Sequence, residues 1–393
     1  MSEKVRIGIV GIGNMGSNHS KNILAHQVEH LELAAVCDIA PEKLDWAEKN
    51  LPGVPRFSDY KEMIASGLLD AVLIATPHYL HPEIAKSGFA AGLHVLTEKP
   101  AGVYTKQVEE MNEAAQKSGK VFCIMYNQRT NPQFQKIREL VQSGRLGQLK
   151  RCIWIITNWY RTQAYYDSGT WRGTWAGEGG GVLLNQCPHN LDLWQWMFGM
   201  PVRVRAKCQY GKWHNIEVED EVTAYAEYAN GATATFITTT GECPGTNRLE
   251  ITGDRGKVVW EEGKLRFCEL EVPERQLCFE ASDGFVMPDV TYQELEVEGV
   301  ETGHNGILQN FTNAILYGEE LLSPGYEGIN GLTISNAIHL SDWTNDWVEL
   351  PIDKELFLQY LNEKRAHSHI KEAGDPAKIA DLAGTFNDRW KVR

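Results

Sequence analysis

The first apolar strand of the chain runs directly into a glycine-rich turn. Residues 5–10 are almost all apolar, and three glycines then follow in the spacing G-x-G-x-x-G. The first glycine of such a turn lets the chain leave the strand sharply. The second allows a ligand to approach the backbone, and the third lets the next helix pack closely. Because the N–H groups at the start of that helix attract phosphate, the pattern predicts a dinucleotide-binding βαβ unit. The residues predicted to line the phosphates are Gly11, Gly13, Asn14, Met15 and Gly16.

An acidic residue follows the second predicted strand at a distance that favours one nucleotide. Strand 31–37 is followed by Asp38, 22 residues after Gly16, and a ribose-binding carboxylate is expected roughly 20 residues after the turn. A carboxylate accepts a hydrogen bond from the 2′-hydroxyl of NAD and repels the 2′-phosphate of NADP, so we expect NAD as the cofactor. The alternative is that Asp38 only caps the helix that begins near Pro41.

Length, charge and cysteine spacing exclude several classes of protein. The 393 residues are too many for one ordinary core and favour two domains. A net charge of −14 without a basic run argues against nucleic acid or an anionic membrane as partner. No apolar stretch approaches the ~20 residues of a membrane helix, and the N-terminus lacks a signal-peptide core. The eight cysteines form no C-x-x-C pair, so we expect buried thiols in a reducing cytoplasm.

Two halves of the chain follow different rhythms. Up to about residue 127, short apolar strands alternate with helical patterns, which is typical of a doubly wound parallel sheet. Beyond about residue 148, long alternating strands dominate, and Asn230-Gly231 between two of them predicts a hairpin. We predict a Rossmann α/β domain over 1–128 and an α+β domain over 129–393, with a large, mostly antiparallel open sheet and a helical tail at 354–393. An open sheet leaves one face to cover, so a homodimer or homotetramer through that sheet is expected.

Polar residues follow the apolar strands of the first half, where open α/β sheets bind ligands. The sequence Glu98-Lys99-Pro100 follows one of these strands. A lysine beside an oxidised nicotinamide ring has its charged form disfavoured, which lowers its pKa and suits it to exchange a proton with a substrate hydroxyl. Lys99 is therefore the candidate acid–base group, with a surface lysine before a loop proline as the alternative. The predicted cofactor contacts at these strand ends are Thr76, Pro77, His81, Glu98, Lys99 and Asn127, and Tyr126 and Arg129 are predicted to line the rim of the substrate site.

A second polar cluster follows the glycine run 179–181. Asn185 lies just ahead of a predicted helix and His189 lies in its first turn, where an imidazole can bind a sugar hydroxyl or share its proton. A histidine at a helix start is also often structural. Cys187, His189 and Asp192 do not have a usual zinc spacing, and we expect no metal, because a nicotinamide accepts hydride without one.

An aromatic-rich stretch covers residues 159–175. Indole and phenol rings stack on the C–H faces of sugars, while arginine and tyrosine donors bind hydroxyls. An oligomer interface or the edge of a core is the alternative. The residues predicted to contact substrate here and in the second cluster are Tyr165, Tyr166, Trp171, Arg172, Asn185, Gln186 and His189.

Together these residues resemble the Gfo/Idh/MocA oxidoreductase family over nearly the whole chain. The resemblance rests on the glycine turn, Asp38, Ala75-Thr76-Pro77, Glu98-Lys99-Pro100, and the glycine run that leads to His189 and Asp192. It implies a Rossmann domain followed by an open antiparallel sheet, and NAD(P)-dependent hydride transfer at a hydroxyl of a sugar, cyclitol or glycoside. It also implies that Lys99 is the general acid–base and that His189 lies beside the substrate carbon.

The chain departs from the family pattern at two positions. Asn185 stands where the family often has aspartate, and Cys187 stands where glycine is usual. An amide cannot supply a negative charge to the histidine, which leaves more of the acid–base chemistry to Lys99. The same segment, with Trp171-Arg172-Gly173, is similar to branches that oxidise glucosides, some at the 3-hydroxyl. Two alternatives remain open: an NAD-assisted glycosidase, and a dehydrogenase-like sensor without turnover.

Overall fold

The computed structural model describes residues 4–369 and 371, and it divides into two compact units. The first unit comprises Met1–Asn131, Gly177–Gly179 and Glu301–Leu332, and the second comprises Pro132–Ala176, Gly180–Val300 and Thr333–Arg393. The sequence predicts a single boundary after residue 128, whereas here two later segments return to the first unit. Most of the predicted tail 354–393 lies outside the described residues.

A six-stranded sheet of the order β3-β2-β1-β4-β5-β6 forms the centre of the first unit. All of its neighbouring strands are parallel, which confirms the expected doubly wound sheet. The strands are β1 (Val5–Val10), β2 (Leu31–Cys37), β3 (Arg56–Phe57), β4 (Ala71–Ile74), β5 (His94–Thr97) and β6 (Phe122–Ile124). The helices between them are α1 (Asn14–Leu24), α2 (Pro41–Asn50), α3 (Tyr60–Ala65), α4 (His81–Ala90) and α5 (Thr105–Ser118), with short 3-10 turns at His78–Leu80 and Asn127–Thr130.

A nine-stranded sheet forms the second unit, in the order β14-β13-β12-β11-β7-β10-β9-β8-β15. The β7–β10 pair is parallel and the other pairs are antiparallel, so the expected mostly antiparallel sheet is confirmed. The strands are β7 (Leu149–Ile156), β8 (Arg203–Tyr210), β9 (Glu219–Glu227), β10 (Thr233–Thr239), β11 (Asn247–Gly253), β12 (Gly256–Glu261), β13 (Lys264–Leu270), β14 (Val290–Glu294) and β15 (Val348–Glu349). The helices of this part of the chain are α6 (Pro132–Gln142), α7 (Gln163–Asp167), α8 (Pro188–Phe198) and α9 (Glu274–Glu280).

Three further helices complete the described chain: α10 (Gly303–Tyr317), α11 (Gly328–Thr344) and α12 (Lys354–Ala366). Helix α10 belongs to the first unit because Ile307, Leu308 and Phe311 are buried in the same apolar core as Ile7 and Leu73 of the parallel sheet. Each such side chain contributes about 1.5–3 kcal/mol when it leaves water, which is enough to bring this distant segment back.

Turn chemistry shapes the middle of the antiparallel sheet. Asn230 and Gly231 join β9 to β10 as the sequence predicts, and Gly231 has a φ of 81° that favours glycine. Along β9, Val222, Ala224 and Ala226 are buried, whereas Tyr225, between the last two, is exposed. This alternation leaves one side of the strand packed and the other open.

The eight cysteines are all free, and their burial differs from the prediction. Cys243 and Cys278 are exposed and Cys268 is half-buried, whereas the other five are buried. The exposed pair lies outside the apolar strand patterns on which the prediction rested. Among the helices of residues 4–369, none combines the length and apolar character that a bilayer crossing requires.

Candidate active site

The three glycines of the first turn differ in why a side chain is absent at each position. Gly11 has a φ of 90°, and a Cβ there would overlap the carbonyl oxygen of Ala75. A Cβ at Gly16 would overlap the carbonyl oxygen of Gly11, so the fold itself excludes a side chain at both positions. A Cβ at Gly13, in contrast, would meet nothing within 4 Å. Helix α1 starts here without a side-chain cap or an acidic first turn, which suits a phosphate.

Asp38 is tied to the glycine turn. Its Oδ2 accepts a hydrogen bond from the backbone N–H of Ile12 over 2.7 Å, and its Oδ1 accepts one from Ala40 over 3.0 Å. The N-cap of α2 is Ala40, without a side-chain cap bond, so Asp38 does not cap that helix. Its carboxylate keeps further acceptor positions for a ribose diol beside the turn.

The strand-end residues of the first unit fit a polar cofactor. Thr76 Oγ1 and Asn127 Oδ1 are buried, and neither atom has a hydrogen-bond partner among the described residues. A buried polar atom without a partner is costly, and a bound ligand supplies the missing bond. The ring nitrogens of His81 lie 2.7 Å from the carbonyl oxygens of Thr76 and Pro100. His81 therefore holds two strand ends together; burial lowers its pKa, and the two carbonyl oxygens oppose that shift.

Glu98 lies in a buried histidine cluster directly beside Lys99. His19 Nε2 donates to Glu98 Oε1 over 2.7 Å, and Lys99 N donates to Oε2 over 3.3 Å. Burial opposes ionisation, but the hydrogen bond and charge of His19, with the charges of His304 and Lys99, hold the pKa of Glu98 at about 2. The cluster therefore places a permanent negative charge at the start of the Glu98-Lys99-Pro100 segment, whose Lys99–Pro100 peptide is cis.

Two members of this cluster were not found by sequence reasoning. His19 lies in α1, three residues after the last glycine of the turn, and that short spacing was an available signal. His304 comes from α10, and its ring centroid lies 5.6 Å from that of His19. Burial lowers the pKa of His304 to about 4, a shift that the charge of Glu98 partly opposes. No local pattern connects residues so far apart in the chain.

Arg129 and Tyr126 occupy places that differ from the prediction. Arg129 is 1% exposed, and its Nη1 donates to Glu327 over 2.6 Å and to the carbonyl of Leu322 over 3.1 Å. This burial contradicts the expected rim position, because the guanidinium is used to hold the returning segment 301–332. Tyr126 is buried as well, with its hydroxyl directed at the carbonyl of Gly328.

In the second unit the structure brings together three predicted substrate residues. Arg172 Nη1 donates to the Tyr165 hydroxyl over 2.9 Å, and Gln186 Nε2 donates to the same hydroxyl over 3.3 Å. The Arg172 guanidinium also lies over the ring of Trp171 at 4.5 Å. Tyr166 is buried, and its hydroxyl pairs with Thr240 over 2.9 Å, which indicates a packing role.

A buried carboxylate shapes the segment that leads to His189. Glu219 is fully buried; both of its oxygens accept from the backbone N–H of Gly181 over 2.9 Å, and Oε1 accepts from Leu183 over 3.0 Å. These bonds fold the glycine run ahead of α8, in whose first turn His189 is buried. Sequence reasoning did not identify Glu219, because in the sequence it looks like any other polar residue of an alternating strand.

A metal site would require several ligand side chains to converge on one point. Within the described part of the chain, no group of three or more histidine, cysteine, aspartate or glutamate side chains is arranged to hold a metal ion. Cys187 Sγ lies 3.1 Å from Thr238 Oγ1, and Asp192 accepts a hydrogen bond from Gln195.

Comparison with known families and proteins agrees with this geometry. A model of the oxidoreductase family with an NAD-binding Rossmann fold matches residues 5–126, and the GFO/IDH/MocA C-terminal domain matches residues 134–259. The uncharacterized oxidoreductase YrbE of Bacillus subtilis is 23% identical over 347 residues, which cover 87% of this chain and 95% of YrbE. The inositol 2-dehydrogenase of Corynebacterium glutamicum strain R is 26% identical over 235 residues, 59% of this chain and 66% of that enzyme. The uncharacterized oxidoreductase YdgJ of Escherichia coli is 28% identical, but the match covers only 56% of its length.

Solved structures show the same architecture. The WlbA dehydrogenase of Chromobacterium violaceum, in complex with NADH and UDP-GlcNAcA, is 29% identical with a TM-score of 0.77, covering 90% of this chain and 98% of WlbA. A levoglucosan dehydrogenase, in complex with NADH and levoglucosan, shares the fold with a TM-score of 0.73 at 21% identity, covering 89% of this chain and all of that one. The chain belongs to the Gfo/Idh/MocA family of oxidoreductases, and its first unit carries the NAD-binding Rossmann fold of that family.

Proposed function

We propose that this protein is an NAD-dependent dehydrogenase that acts on a secondary hydroxyl of a sugar, glycoside or cyclitol. The observation that carries the proposal is the buried, ionised Glu98 directly ahead of Lys99, at a strand end of an NAD-binding sheet. The inositol 2-dehydrogenase and levoglucosan dehydrogenase relatives support the substrate class.

The first unit would bind the cofactor through groups that are already in place. The glycine turn would hold the pyrophosphate, with Asn14 and Met15 in the first turn of the helix, and Asp38 would bind the ribose. The partnerless Thr76 and Asn127 atoms, together with Pro77, would complete the cofactor contacts. Bound NAD supplies the hydride acceptor.

The remaining chemistry is the movement of one proton and the positioning of the sugar. Lys99 would take the proton of the reacting hydroxyl, and the fixed negative charge of Glu98 beside it would favour the return of the ammonium form after each cycle. His189 and Asn185 would hold neighbouring hydroxyls, with the aromatic stretch contributing Tyr165, Trp171 and Arg172. Asn185 would orient the substrate or His189 by hydrogen bonds, because its amide does not exchange a proton in the reaction.

The test is the substitution Lys99→Ala. We expect turnover to fall by at least ~10², the usual effect of a positioned acid–base group, while NAD affinity stays within a few fold. Turnover is measured as NADH absorbance with a panel of sugars, inositols and aryl glucosides. Lys117→Ala, which changes an exposed lysine on α5, is the matched control. Near-normal turnover of Lys99→Ala would remove it from this role, and aglycone release without net NADH would indicate a glycosidase instead.

We also propose that the protein self-associates through its second unit. Large apolar side chains are exposed along the edge of the nine-stranded sheet and the segment that leads to it: Phe279, Phe285, Met287, Tyr292 and Val300. Burying them against a second copy would remove this apolar surface from water. Light scattering during size-exclusion chromatography would report a dimer or tetramer, and a monomer at micromolar concentration contradicts the proposal.

A further inference from the structure

The hydroxyl of Tyr165 has a hydrogen atom that no described residue accepts. Its oxygen accepts one hydrogen bond from Arg172 over 2.9 Å and another from Gln186 over 3.3 Å. A phenol oxygen that accepts twice must direct its own O–H elsewhere. Among residues 4–369 and 371, the structure shows no acceptor for this hydrogen. An O–H donor is therefore available at a residue that is 9% exposed.

Arg172 adds a positive charge that no described carboxylate neutralises. Its guanidinium carbon lies over the rings of Trp171 and Tyr165, at 4.5 and 4.6 Å from their centroids, and its Nη1 donates to the phenol. Elsewhere in this acidic chain many arginines are ion-paired: Arg6 with Asp70, Arg56 with Glu48, Arg145 with Glu269 and Arg203 with Glu227. An arginine stacked on two rings, with N–H groups left over, presents a fixed fork of donors.

Two carboxylates of the neighbouring segment 217–220 have other hydrogen-bond donors. Asp220 accepts hydrogen bonds from Lys212, Trp213 and His214. Glu217 accepts from the backbone of Trp175. Neither forms an ion pair with Arg172.

Gln186 connects this cluster to the segment of His189. The side chain is buried, and its Oε1 has no hydrogen-bond partner among the described residues. Gln186 lies three residues before His189 in the segment that leads into α8. The cluster thus offers donors for an anion and one acceptor for a hydroxyl, close in the chain to the residue proposed to hold the sugar.

We propose that Tyr165, Arg172 and Gln186 form a subsite for the carboxylate of an acidic sugar, a uronic acid or its glycoside. This inference rests on the proposed function, because it names the substrate class of that site. The guanidinium fork would bind both carboxylate oxygens, and the Tyr165 O–H would donate a further hydrogen bond. The guanidinium of Arg161 also lies over the Tyr165 ring, at 5.1 Å, so the cluster is positively charged on two sides. A phosphate ester brings a charge of about −1.5 to −2, and the first experiment therefore includes one for comparison.

The first experiment compares sugars that differ only in whether they carry the carboxylate. NADH formation is measured with NAD and either methyl β-D-glucuronide or methyl β-D-glucoside, with the galacturonide and galactoside as a second pair. We expect kcat/KM for the acid to exceed that for the neutral sugar by about 10- to 100-fold, the effect of charge-assisted hydrogen bonds. Glucose 6-phosphate is the third arm, and a preference for it would overturn the carboxylate assignment.

The second experiment removes the donors one at a time. Arg172→Gln is expected to lower kcat/KM for the glucuronide by about 10- to 100-fold more than it lowers kcat/KM for the glucoside. Tyr165→Phe keeps the ring and removes the O–H, so the same selective loss is expected at a smaller size. Arg275→Gln is the matched control, because Arg275 also lies over an aromatic ring, that of Phe279, at 5.9 Å. Equal losses for acid and neutral sugars in Arg172→Gln would contradict the subsite.

A binding measurement separates failure of this inference from failure of the proposed function. Glucuronate is titrated into the NADH-loaded enzyme and into its Arg172→Gln variant by calorimetry. Binding that is lost in the variant supports the subsite even if no sugar is turned over, and in that case only the proposed dehydrogenase activity fails. Turnover of neutral sugars with no glucuronate binding sinks the subsite and leaves the dehydrogenase assignment intact.

Discussion

Each unit of this protein buries a glutamate in its candidate functional region, and the two glutamates have different partners. Glu98 of the parallel sheet accepts from a histidine and from the backbone of its neighbour Lys99. Glu219 of the antiparallel sheet accepts three hydrogen bonds from the backbone of residues 181 and 183. The first carboxylate lies among histidines and a lysine. The second takes its hydrogen bonds from the backbone, although the ring of His339 also lies 3.0 Å from its Oε2.

The comparison shows one type of side chain in two settings. In one region it sets the charge of a polar cluster, and in the other it fixes the path of the backbone. Glu98 stays ionised while its neighbour His304 takes up a proton in acid, so the charge around Glu98 changes with pH. The bonds of Glu219 go to fixed backbone donors, so its contribution is to the shape of the glycine run ahead of His189. Mutations at the two positions should therefore separate stability from pH dependence.

The largest effect is expected from Glu219→Ala. This change leaves the N–H groups of Gly181 and Leu183 buried without an acceptor, and each such group costs ~1–3 kcal/mol. We expect the free energy of unfolding to fall by about 3–5 kcal/mol in urea titrations. Glu221→Ala, on the same strand, breaks a partly exposed ion pair with Lys212 and should cost less than about 1 kcal/mol. Equal losses at the two positions would refute the architectural role of Glu219.

A second prediction concerns acid sensitivity at the Glu98 cluster. Because the pKa of His304 is about 4 in the folded state and 6.5 in the unfolded state, the unfolded chain binds the extra proton first. Stability from this group is thus present above pH 6.5 and is lost as the pH falls toward 4, by up to about 3 kcal/mol. In the His304→Gln variant, the melting temperature should change less with pH between pH 4 and 6.5 than in the unmodified protein. The loss expected from Glu98 lies lower, between pH 4.5 and about 2, and should remain. If the melting temperature of the variant depends on pH as steeply as before, His304 is not the source of this acid sensitivity.

A smaller effect separates the two kinds of glycine in the first turn. Gly13→Ala adds a methyl group to open space, so the fold should keep its melting temperature while NAD affinity falls by about tenfold or more. Gly16→Ala places the methyl group against backbone and should lower stability itself by ~1–3 kcal/mol. Calorimetric titration of NAD and thermal melts of both variants make the comparison. Normal NAD affinity in a folded Gly13→Ala protein would place the pyrophosphate elsewhere.

Local patterns in the sequence were sufficient for the elements that position the cofactor. The strands predicted at 5–10 and 31–37 have those bounds in the structure, and the hairpin at Asn230-Gly231 is present. Alternation, apolar runs and glycine spacing act over a few residues, so they can be recognised without the fold. Both sheet types followed from these patterns, whereas the family followed from the resemblance of the motifs.

Tertiary structure alone decided the surroundings of the functional groups. The return of 301–332 to the first unit buries Arg129 against Glu327 and brings His304 to within ring contact of His19. The histidine partners of Glu98, and Glu219 itself, became identifiable only in the folded structure. These arrangements depend on burial and on hydrogen bonds between residues tens to hundreds of positions apart. Nothing in a local pattern encodes such distances, because the free energy that selects them comes from packing the whole unit.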